Sequence, residues 1–535
     1  MYNLGYFPVG VTRRTFVASL LSVSQSWGQT AARPYVQRVS AKRATVRWSG
    51  AARLKYWIAG GVEREIEGRV IGARREAVIE GLTPGTEYRY EVGESAHTFR
   101  TAGQGRTPFL VIGDTGMGSP EQATLAELLA KEDARLLLHT GDVAYPVGNA
   151  EAYERRYFDY YHAMMPRVPF YPCPGNHDYY ETGAAPYFAL HDLPQEGVDE
   201  SEHGRYYSFD WGDATFVSID SNDPLQDPVR RARMLAWLDK TLAESDRFWR
   251  IVYFHHPPYA SGPNEDDPLT ALARQHIVPV LEKHHVPIVF GGHEHSYQRS
   301  KPVHGAVYYT SGGGGAHLYP VGNGPTVAHG ASAFHYLRAA ITDYRVRVEA
   351  VGLDGKTFDT SLITPKPIFR RRGIVNAASF EPRVGRGSPV SIFGWQLGMT
   401  GRNDIAVEAN GRPLEILAVS ANQVNVALPA DISGSVTLKL TTPNGSDSAT
   451  FEVARFAPAL FNVPDAGPVL YATGLHDWNE PVAVKLGNTT VQGRVSPGPV
   501  SGVQRIDFIA PTAGPLDVSV QAGQLESNTV RIAIR

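Results

Sequence analysis

The sequence predicts a multidomain protein with a central α/β domain (an α+β sandwich), an N-terminal β-sandwich and two C-terminal β-sandwich domains. The chain has 535 residues, which is too long for one hydrophobic core. Between residues 105 and 365, apolar runs alternate with helical stretches, as buried strands of an α/β sheet do. On both sides of this region, short alternating segments lie between turns rich in Gly, Pro and Asn, a pattern typical of β-sandwiches.

Residues 1–31 have the layout of an export signal. Thr12-Arg13-Arg14-Thr15-Phe16 precedes a short apolar stretch from Val17 to Val23, and small and polar residues follow up to Ala32. The paired arginines resemble a twin-arginine (Tat) signal, which exports proteins that are already folded, and Sec export is the alternative. We therefore expect an exported protein, located in the periplasm, at the cell surface or outside the cell.

Residues 33–103 predict a small β-sandwich. Alternating stretches such as Ala44-Thr45-Val46-Arg47-Trp48 recur between Gly-rich turns. Tyr88 lies where a tyrosine corner is expected, a few residues after a Gly-Leu-Thr-Pro-Gly turn. The segment resembles a fibronectin type III module, and we expect it to have a structural role.

The C-terminal region predicts two immunoglobulin-like β-sandwiches, at 373–455 and 456–535. The segment 423–429 is echoed by 504–511, which gives a faint repeat of about eighty residues. The first unit resembles immunoglobulin-like modules of bacterial surface proteins. These domains bind carbohydrate, bind a cell-surface partner, or act as spacers.

Composition excludes several classes of partner and structure. The formal net charge is −3, so no electrostatic argument supports nucleic acid as a partner. No stretch reaches the ~20 apolar residues of a transmembrane segment. Cys173 is the single cysteine of the chain, which rules out an internal disulfide bond.

Five short segments, each after an apolar run, contain most of the candidate chemistry. They are Gly113-Asp114-Thr115-Gly116, Gly141-Asp142-Val143-Ala144-Tyr145, Gly175-Asn176-His177-Asp178, Val252-Tyr253-Phe254-His255-His256 and Gly292-His293-Glu294-His295. Sites in α/β sheets form at the carboxyl ends of the strands, so distant positions converge there. Carboxylate, phenol, amide and imidazole donors together suit two metal ions a few ångströms apart, a geometry suited to phosphoryl chemistry. The pattern indicates a metal-dependent phosphoesterase.

Each segment has a plainer interpretation when it is taken alone. A Gly-Asp pair after a strand is often a turn, and Asn176 follows a glycine in a favoured turn sequence. His255 and His256 point to opposite faces if the chain is extended there, so we expect one of them to bind metal. His293 and His295 are two residues apart and therefore share a side of an extended segment. A surface-binding protein with an incidental hydrolase fold remains the alternative from a different class.

With these five segments, residues 105–363 resemble the calcineurin-like metallophosphoesterase superfamily, and purple acid phosphatases in particular. The likeness includes Gly292-His293-Glu294-His295-Ser296-Tyr297-Gln298-Arg299. It implies that Asp114, Tyr145 and His295 hold one metal ion. It further implies that Asn176, His255 and His293 hold the other, and that Asp142 bridges the two. The implied metals are Fe³⁺, whose charge transfer from the Tyr145 phenolate gives a purple colour, with Fe²⁺, Zn²⁺ or Mn²⁺.

The resemblance and the donor set together imply an acid phosphatase-like hydrolase of small phosphate monoesters. Two cations lower the pKa of a bound water, so that metal-bound hydroxide attacks the phosphorus atom. His177 is expected to protonate the leaving group, and Asp178 either orients His177 or faces away. His256, Tyr297 and Arg299 are candidates for an outer shell around the site, or else packing and surface residues. A phosphodiesterase of the same superfamily is the nearest alternative.

Overall fold

The computed structural model describes residues 33–463, 468–511 and 514–534, which form two compact units. The first unit contains the described residues up to Ile363 except Asp246–Phe248, and the second contains those three together with the described residues from Thr364 onward. The predicted export signal at 1–31 lies outside the described residues. Where the chain is described, no helix is both long enough and apolar enough to cross a membrane.

The N-terminal module consists of two four-stranded sheets with strand orders β1-β2-β6-β5 and β4-β3-β7-β8. Its strands are β1 Tyr35–Gln37, β2 Arg43–Trp48, β3 Arg53–Ile58, β4 Arg64–Glu67, β5 Arg69–Ile71, β6 Arg74–Glu80, β7 Glu87–Val92 and β8 Ser95–Arg100. Trp48 and Tyr90 are fully buried. The Thr83 amide donates to the Tyr88 hydroxyl at 2.9 Å, which is the upstream backbone contact that a tyrosine corner makes.

The N-terminal module packs directly on the central domain within the first unit. The Val36 amide donates to the Met165 carbonyl at 2.9 Å, and the Tyr171 hydroxyl donates to the Val39 carbonyl at 2.6 Å. The Tyr90 hydroxyl reaches the Pro166 carbonyl at 2.8 Å. These buried hydrogen bonds satisfy backbone carbonyls that would otherwise be left unpaired at the contact. The module predicted at 33–103 therefore shares one compact unit with the central domain.

The central domain contains two mixed sheets. One has six strands in the order β11-β10-β9-β19-β20-β21, and the other has seven in the order β12-β13-β14-β15-β17-β16-β18. The strands are β9 Thr107–Ile112, β10 Leu136–His139, β11 Phe170–Pro172, β12 Tyr207–Trp211, β13 Ala214–Ser218, β14 Trp249–Tyr253, β15 Ile288–Gly291, β16 Tyr297–Ser300, β17 Val307–Ser311, β18 Val327–Ala331, β19 His335–Thr342, β20 Arg345–Gly352 and β21 Thr357–Ile363. Strands β9, β10 and β11 are parallel, as are β14 and β15. Every residue of β9, β10, β14 and β15 is buried, as the apolar runs predict.

Helices connect these strands. Their bounds are Pro120–Leu129, Ala150–Tyr153, Asp159–Tyr161, Asn176–Tyr179, Ala185–Leu190, Asp223–Gln226, Pro228–Glu244, Pro268–Leu272 and Val278–Lys283, with π-helical turns at Glu154–Phe158 and Ala273–Ile277 and a 3₁₀ turn at Glu200–Glu202. The first of them is capped by Ser119, whose hydroxyl accepts the Gln122 amide, and has proline in its first turn. The longest is capped by Asp227 in the same way and buries Met234, Leu238 and Leu242 on one face.

The second unit contains two β-modules. In the first, β22 Ile368–Asn376, β24 Pro389–Trp395, β28 Gln423–Ala427 and β27 Glu415–Val419 form one sheet, and β23 Val384–Gly385, β30 Gly445–Ala454, β29 Gly434–Thr442, β25 Ala406–Ala409 and β26 Arg412–Pro413 form the other. In the second, β31 Ala459–Leu460, β32 Val469–Thr473, β33 Val482–Leu486, β34 Thr489–Pro497, β35 Gln504–Phe508, β36 Gly514–Ala522, β37 Leu525–Glu526 and β38 Val530–Ile534 form a single eight-stranded sheet. The echoing segments of the repeat are β28 and β35. Hydrogen bonds join all the strands of the second module into one sheet, whereas the β-sandwich predicted at 456–535 would have two separate sheets.

Candidate metal centre

The candidate donors lie at the carboxyl ends of parallel strands from both central sheets. Asp114 follows β9, the segment with Asp142 and Tyr145 follows β10, and Asn176 follows β11. From the other sheet, His255 follows β14, and His293 follows β15. Neighbouring parallel strands end at the same edge, so the five segments meet there although they span some 180 positions.

One group of donors surrounds the Tyr145 hydroxyl. This oxygen lies 2.8 Å from Asp142 Oδ2, 3.2 Å from Asp114 Oδ1 and 3.0 Å from His295 Nε2. His295 Nδ1 lies 2.7 Å from the His317 carbonyl, which accepts the ring proton. That bond directs Nε2, with its lone pair, toward the carboxylates.

A second group surrounds the Asn176 side-chain oxygen. It lies 2.9 Å from His255 Nε2 and 3.2 Å from His293 Nδ1. His255 Nδ1 lies 2.8 Å from the Thr140 carbonyl, and its Nε2 is 3.5 Å from Asp142 Oδ1. Asp142 therefore presents one oxygen to each group of donors, which is the position that a bridging carboxylate requires.

His256 lies close to the second group of donors, although it would point away from His255 if the chain were extended there. Its Nδ1 lies 2.8 Å from the Ser221 hydroxyl, and its ring centroid is 4.5 Å from that of His293. His255, His256 and His293 each place a ring nitrogen within 4.8 Å of the other two, as do the ligand atoms of Asp114, Asp142 and His295 among themselves. The two adjacent histidines thus both lie at the site.

The backbone at the donors is held in conformations that few side chains adopt. Asp114, Asp142 and His293 have φ values of 58°, 54° and 66°. Left-handed backbone at a residue other than glycine costs on the order of 1–2 kcal/mol, and it persists where the surroundings enforce it. The His293 amide donates to both Asp114 oxygens, at 3.1 and 3.0 Å, so two of the three strained residues hold each other.

Two glycines leave room for the carboxylates. A Cβ atom on Gly292 would lie 2.6 Å from Asp114 Oδ2, and one on Gly175 would lie 2.8 Å from Asp142 Cγ and closer still to Asp142 Oδ1. The φ value of Gly175 is −102°, which any residue adopts, so this glycine is required by the close approach alone.

The electrostatics of the cluster fit the binding of cations. Asp114 and Asp142 are both buried, and in the described part of the chain their ion-pair partners are histidines, with no lysine or arginine. Burial works to raise the pKa of Asp114, but the His295 hydrogen bond and the nearby His255 outweigh it and lower that pKa. Burial and then Asp142 and Asp114 raise the pKa of Tyr145 well above its ordinary value. A bound metal ion would compensate these buried carboxylates, and its positive charge would lower the pKa of the Tyr145 phenol instead of raising it.

His177 lies at the open side of the cluster. Its amide donates to Asp142 Oδ1 at 2.8 Å, and its Nδ1 lies 2.7 Å from the Pro146 carbonyl. The ring packs 4.2 Å from the Tyr145 ring, and Nε2 is 3.9 Å from Asp142 Oδ2. The side chain is 27% exposed, so part of the imidazole is accessible from solvent.

Three other predicted residues have their polar atoms bound elsewhere. The buried Asp178 carboxylate accepts the Gly175 and Val143 amides and the Tyr153 hydroxyl, and so it fixes the loop beneath His177 without contacting the ring. The Tyr297 hydroxyl and the Arg299 guanidinium both bind Asp359, at 2.6 and 2.7 Å. The structure therefore does not bring Tyr297 and Arg299 into the donor cluster.

Residues that sequence reasoning missed complete the surroundings. Tyr180 accepts the Asn176 side-chain amide at 2.9 Å, and Tyr319 stacks on His295 with ring centroids 4.3 Å apart. Tyr180 follows His177 by three positions, about one helical turn, so helical spacing was a usable signal. Tyr319 comes 24 positions after His295, and no local pattern connects them.

Comparison with known proteins agrees with this geometry. Residues 107–297 match the calcineurin-like phosphoesterase family. The chain is 27% identical over 293 residues to Purple acid phosphatase 23 of Arabidopsis thaliana, which covers 46% of this chain and 63% of that protein. It is 27% identical over 252 residues to Acid phosphatase type 7 of Mus musculus, which covers 42% of this chain and 56% of that protein. The alignments therefore span less than two thirds of these relatives.

A solved purple acid phosphatase from yellow lupin seeds has the same fold over 62% of this chain and 74% of its own, with a TM-score of 0.54 and 18% identity. The chain thus contains a calcineurin-like metallophosphoesterase domain, and purple acid phosphatases are among its homologues. This family implies a dinuclear metal site, and the grouped donors fit one.

Proposed function

We propose that this protein is an exported dinuclear-metal phosphatase that hydrolyses phosphate monoesters. One observation carries the proposal: seven donors from five separate segments converge on one site, and the two oxygens of one of them, Asp142, face different donor groups. A turn or a helix cap explains any one of these segments, but it does not explain their convergence. The acid phosphatase names of the relatives support the choice of monoesters.

The ligand assignment follows the two donor groups. Asp114, Tyr145 and His295 hold one ion, Asn176, His255 and His293 hold the other, and Asp142 bridges them. Hard oxygen donors dominate the first group, which suits Fe³⁺, and the nitrogen-rich second group suits Fe²⁺, Zn²⁺ or Mn²⁺. When bound, the two ions supply an activated nucleophile and neutralise the phosphate oxygens.

The chain's own residues complete the reaction. His177 Nε2 lies at the open side of the cluster, where the ester oxygen of a bound phosphate leaves, and His177 donates a proton to that oxygen. The Pro146 carbonyl accepts at Nδ1 and fixes the ring orientation, so that Nε2 faces the substrate. Asp178 holds the Gly175 and Val143 amides, which keeps the loops that contain Asn176 and Asp142 in place.

Hydrolysis assays on metal-loaded protein test the proposal. A nitrophenyl monoester and a bis-nitrophenyl diester are compared across pH, with Asp142→Asn and the surface control Asp354→Asn. We expect faster monoester turnover, lost together with bound metal in Asp142→Asn and kept in Asp354→Asn. Preferred diester turnover would favour the phosphodiesterase alternative, and full activity of Asp142→Asn would refute the bridging role.

Export is part of the proposal and is supported by the paired arginines ahead of the apolar stretch at 17–23. Changing Arg13 and Arg14 to lysine should retain the protein in the cytoplasm if the Tat route operates, and cell fractionation measures this. Unchanged export would favour Sec. Binding of a carbohydrate or cell-surface partner by the C-terminal modules stays a prediction.

A further inference from the structure

Three consecutive arginines bulge from the edge of the first C-terminal module. Strand β22 pairs with β24 on both sides of residues 370–373, but β24 has only Phe393 opposite these four residues. A bulge leaves its extra residues outside the hydrogen-bonded ladder. Arg370, Arg371 and Arg372 are accordingly all exposed, on a strand that lies at the edge of its sheet. A regular strand would alternate these side chains between its two faces. We call residues 370–373 the arginine bulge.

The arginine bulge is positively charged and lacks an internal counter-charge. Within the residues that the structure describes, none of the three guanidinium groups has a carboxylate at ion-pair distance. The segment 366–383 contains five basic residues and one acidic residue, Glu381, although the whole chain has a formal net charge of −3. Exposed guanidinium groups bind phosphate through two parallel hydrogen bonds as well as through charge. The bulge is therefore suited to a phosphate-bearing anion.

An exposed phenylalanine follows β22 on the same sheet. Phe380 is 59% exposed, and its φ value is 58°, a conformation that bulky residues rarely adopt. Its amide donates to the Asn376 carbonyl at 2.9 Å, and the Asn376 amide donates to the Glu381 carbonyl at 2.9 Å. These two hydrogen bonds close the turn, which holds a large apolar ring in solvent.

Phe393 connects this ring with the arginine bulge. The ring centroids of Phe380 and Phe393 are 6.1 Å apart, and Phe393 is the residue of β24 opposite the bulge. Ile392, the residue before Phe393, belongs to the hydrophobic core of the module, so Phe393 points to the outer face. Phe380 thus lies on the outer face, beside the edge from which the arginines project. Charges on an edge bulge also hinder pairing with another chain, but that role does not require an exposed phenylalanine.

We propose that Arg370, Arg371, Arg372 and Phe380 form a surface that binds an anionic phospholipid membrane. The lipid phosphates accept the hydrogen bonds and the charge of the arginines, and the Phe380 ring enters the boundary between headgroups and acyl chains. An acidic polysaccharide would also attract arginines, but its sugar rings stack on a flat aromatic platform. Phe380 and Phe393 are inclined at 51° to each other and do not form one. The proposal does not depend on the phosphatase activity.

Cosedimentation of the full-length protein with lipid vesicles tests the proposal. Vesicles of phosphatidylcholine alone are compared with vesicles of equal parts phosphatidylcholine and phosphatidylglycerol, at millimolar lipid, because so small a patch binds weakly and reversibly. We expect binding to the anionic vesicles only, and its loss in high salt. Arg371→Gln should weaken binding about fivefold, and Phe380→Ser about tenfold. Changing all three arginines to glutamine should abolish detectable binding, whereas changing them to lysine keeps the charge and should retain it.

Matched controls separate the patch from net charge and from apolar surface in general. Changing Arg64, Arg89 and Arg494 to glutamine removes three exposed arginines elsewhere, and Ile509→Ser removes an apolar side chain that is 87% exposed. Both controls should bind like the unaltered protein. All variants contain residues 1–31, so a contribution from that segment is common to every measurement.

Thermal unfolding and phosphate-ester hydrolysis should be the same in all variants, because the patch lies outside the metal centre. Absence of binding to the phosphatidylglycerol vesicles would overturn the proposal. Equal losses in the two glutamine triple variants would overturn it as well, and so would tighter binding to polygalacturonate than to the vesicles. Vesicle binding by a protein that hydrolyses no phosphate ester would leave this proposal standing and refute only the proposed function.

Discussion

Replacing Gly175 by alanine tests whether the loop and the Asp142 carboxylate are packed as closely as the structure indicates. The added Cβ would lie 2.8 Å from Asp142 Cγ and would overlap Oδ1 and the Asp142 amide nitrogen. Since Gly175 has a φ value of −102°, alanine introduces no strain of its own there. The effect therefore comes from the contact alone.

The size of the effect follows from what must move. The three atoms nearest to the new methyl group are the backbone nitrogen and two carboxylate atoms of Asp142, so the overlap is relieved only if the proposed bridging residue moves. Overpacking of this kind lowers the free energy of unfolding by about 1–3 kcal/mol. A displacement of about 1 Å at reacting groups lowers kcat/KM roughly a hundredfold. We expect metal content to fall together with kcat/KM.

The matched control is Gly352→Ala. A Cβ atom on Gly352 would come no closer than 3.5 Å to any neighbour, which is ordinary contact, and its φ is not in the left-handed region. Elemental analysis, phosphatase kinetics and thermal unfolding are measured on both variants. If Gly175→Ala retains the metal content and kcat/KM of the control, the described packing of Asp142 against this loop is wrong.

Three further predictions follow from other parts of the first unit. Tyr145→Phe should abolish the visible absorption of an iron-loaded sample while leaving some hydrolysis, and an unchanged spectrum would show that the phenol is not a ligand. Asp359→Asn removes the negative charge and one of the two acceptor oxygens that bind Tyr297 and Arg299, and it should lower the free energy of unfolding by about 1–3 kcal/mol. Its kcat/KM should not change, and a large loss would return these residues to the active site. His191 is buried, and burial lowers its pKa to about 3, whereas the unfolded chain takes up this proton near pH 6.5. Stability should therefore fall as the pH drops from 6.5 toward 3, by up to about 1.4 kcal/mol per pH unit from this group, and His191→Asn should flatten that slope in denaturation curves.

Much of the site could be predicted because its donors follow buried strands. The apolar runs that became β9, β10, β14 and β15 are long enough to identify, and parallel strands leave little choice about where their ends meet. Convergence of Asp114, Asp142 and His293 thus follows from local patterns and one rule of sheet topology.

What sequence could not supply was the direction of individual side chains. Tyr297 and Arg299 are two apart on β16, so a shared face was predictable, but their partner Asp359 is some sixty residues away on β21. Adjacent side chains of an extended chain point to opposite faces, but His255 and His256 lie in a bend, and their ring centroids are 4.9 Å apart. Tyr319 enters through a loop that no periodic pattern describes.

In the C-terminal modules, the sequence also did not predict how the strands pair into sheets. The echo of 423–429 in 504–511 falls on one strand of each module, β28 and β35. It does not reveal that the first module divides its strands between two sheets while the second joins all eight into one. Strand pairing depends on edge contacts that a short repeat does not encode.

Anomalous diffraction from crystals of the metal-loaded protein tests the central claim most directly. The account predicts two peaks a few ångströms apart, one beside Asp114, Tyr145 and His295, the other beside Asn176, His255 and His293, and both within coordination distance of Asp142. A single peak, or two peaks of which either lies away from Asp142, would contradict it.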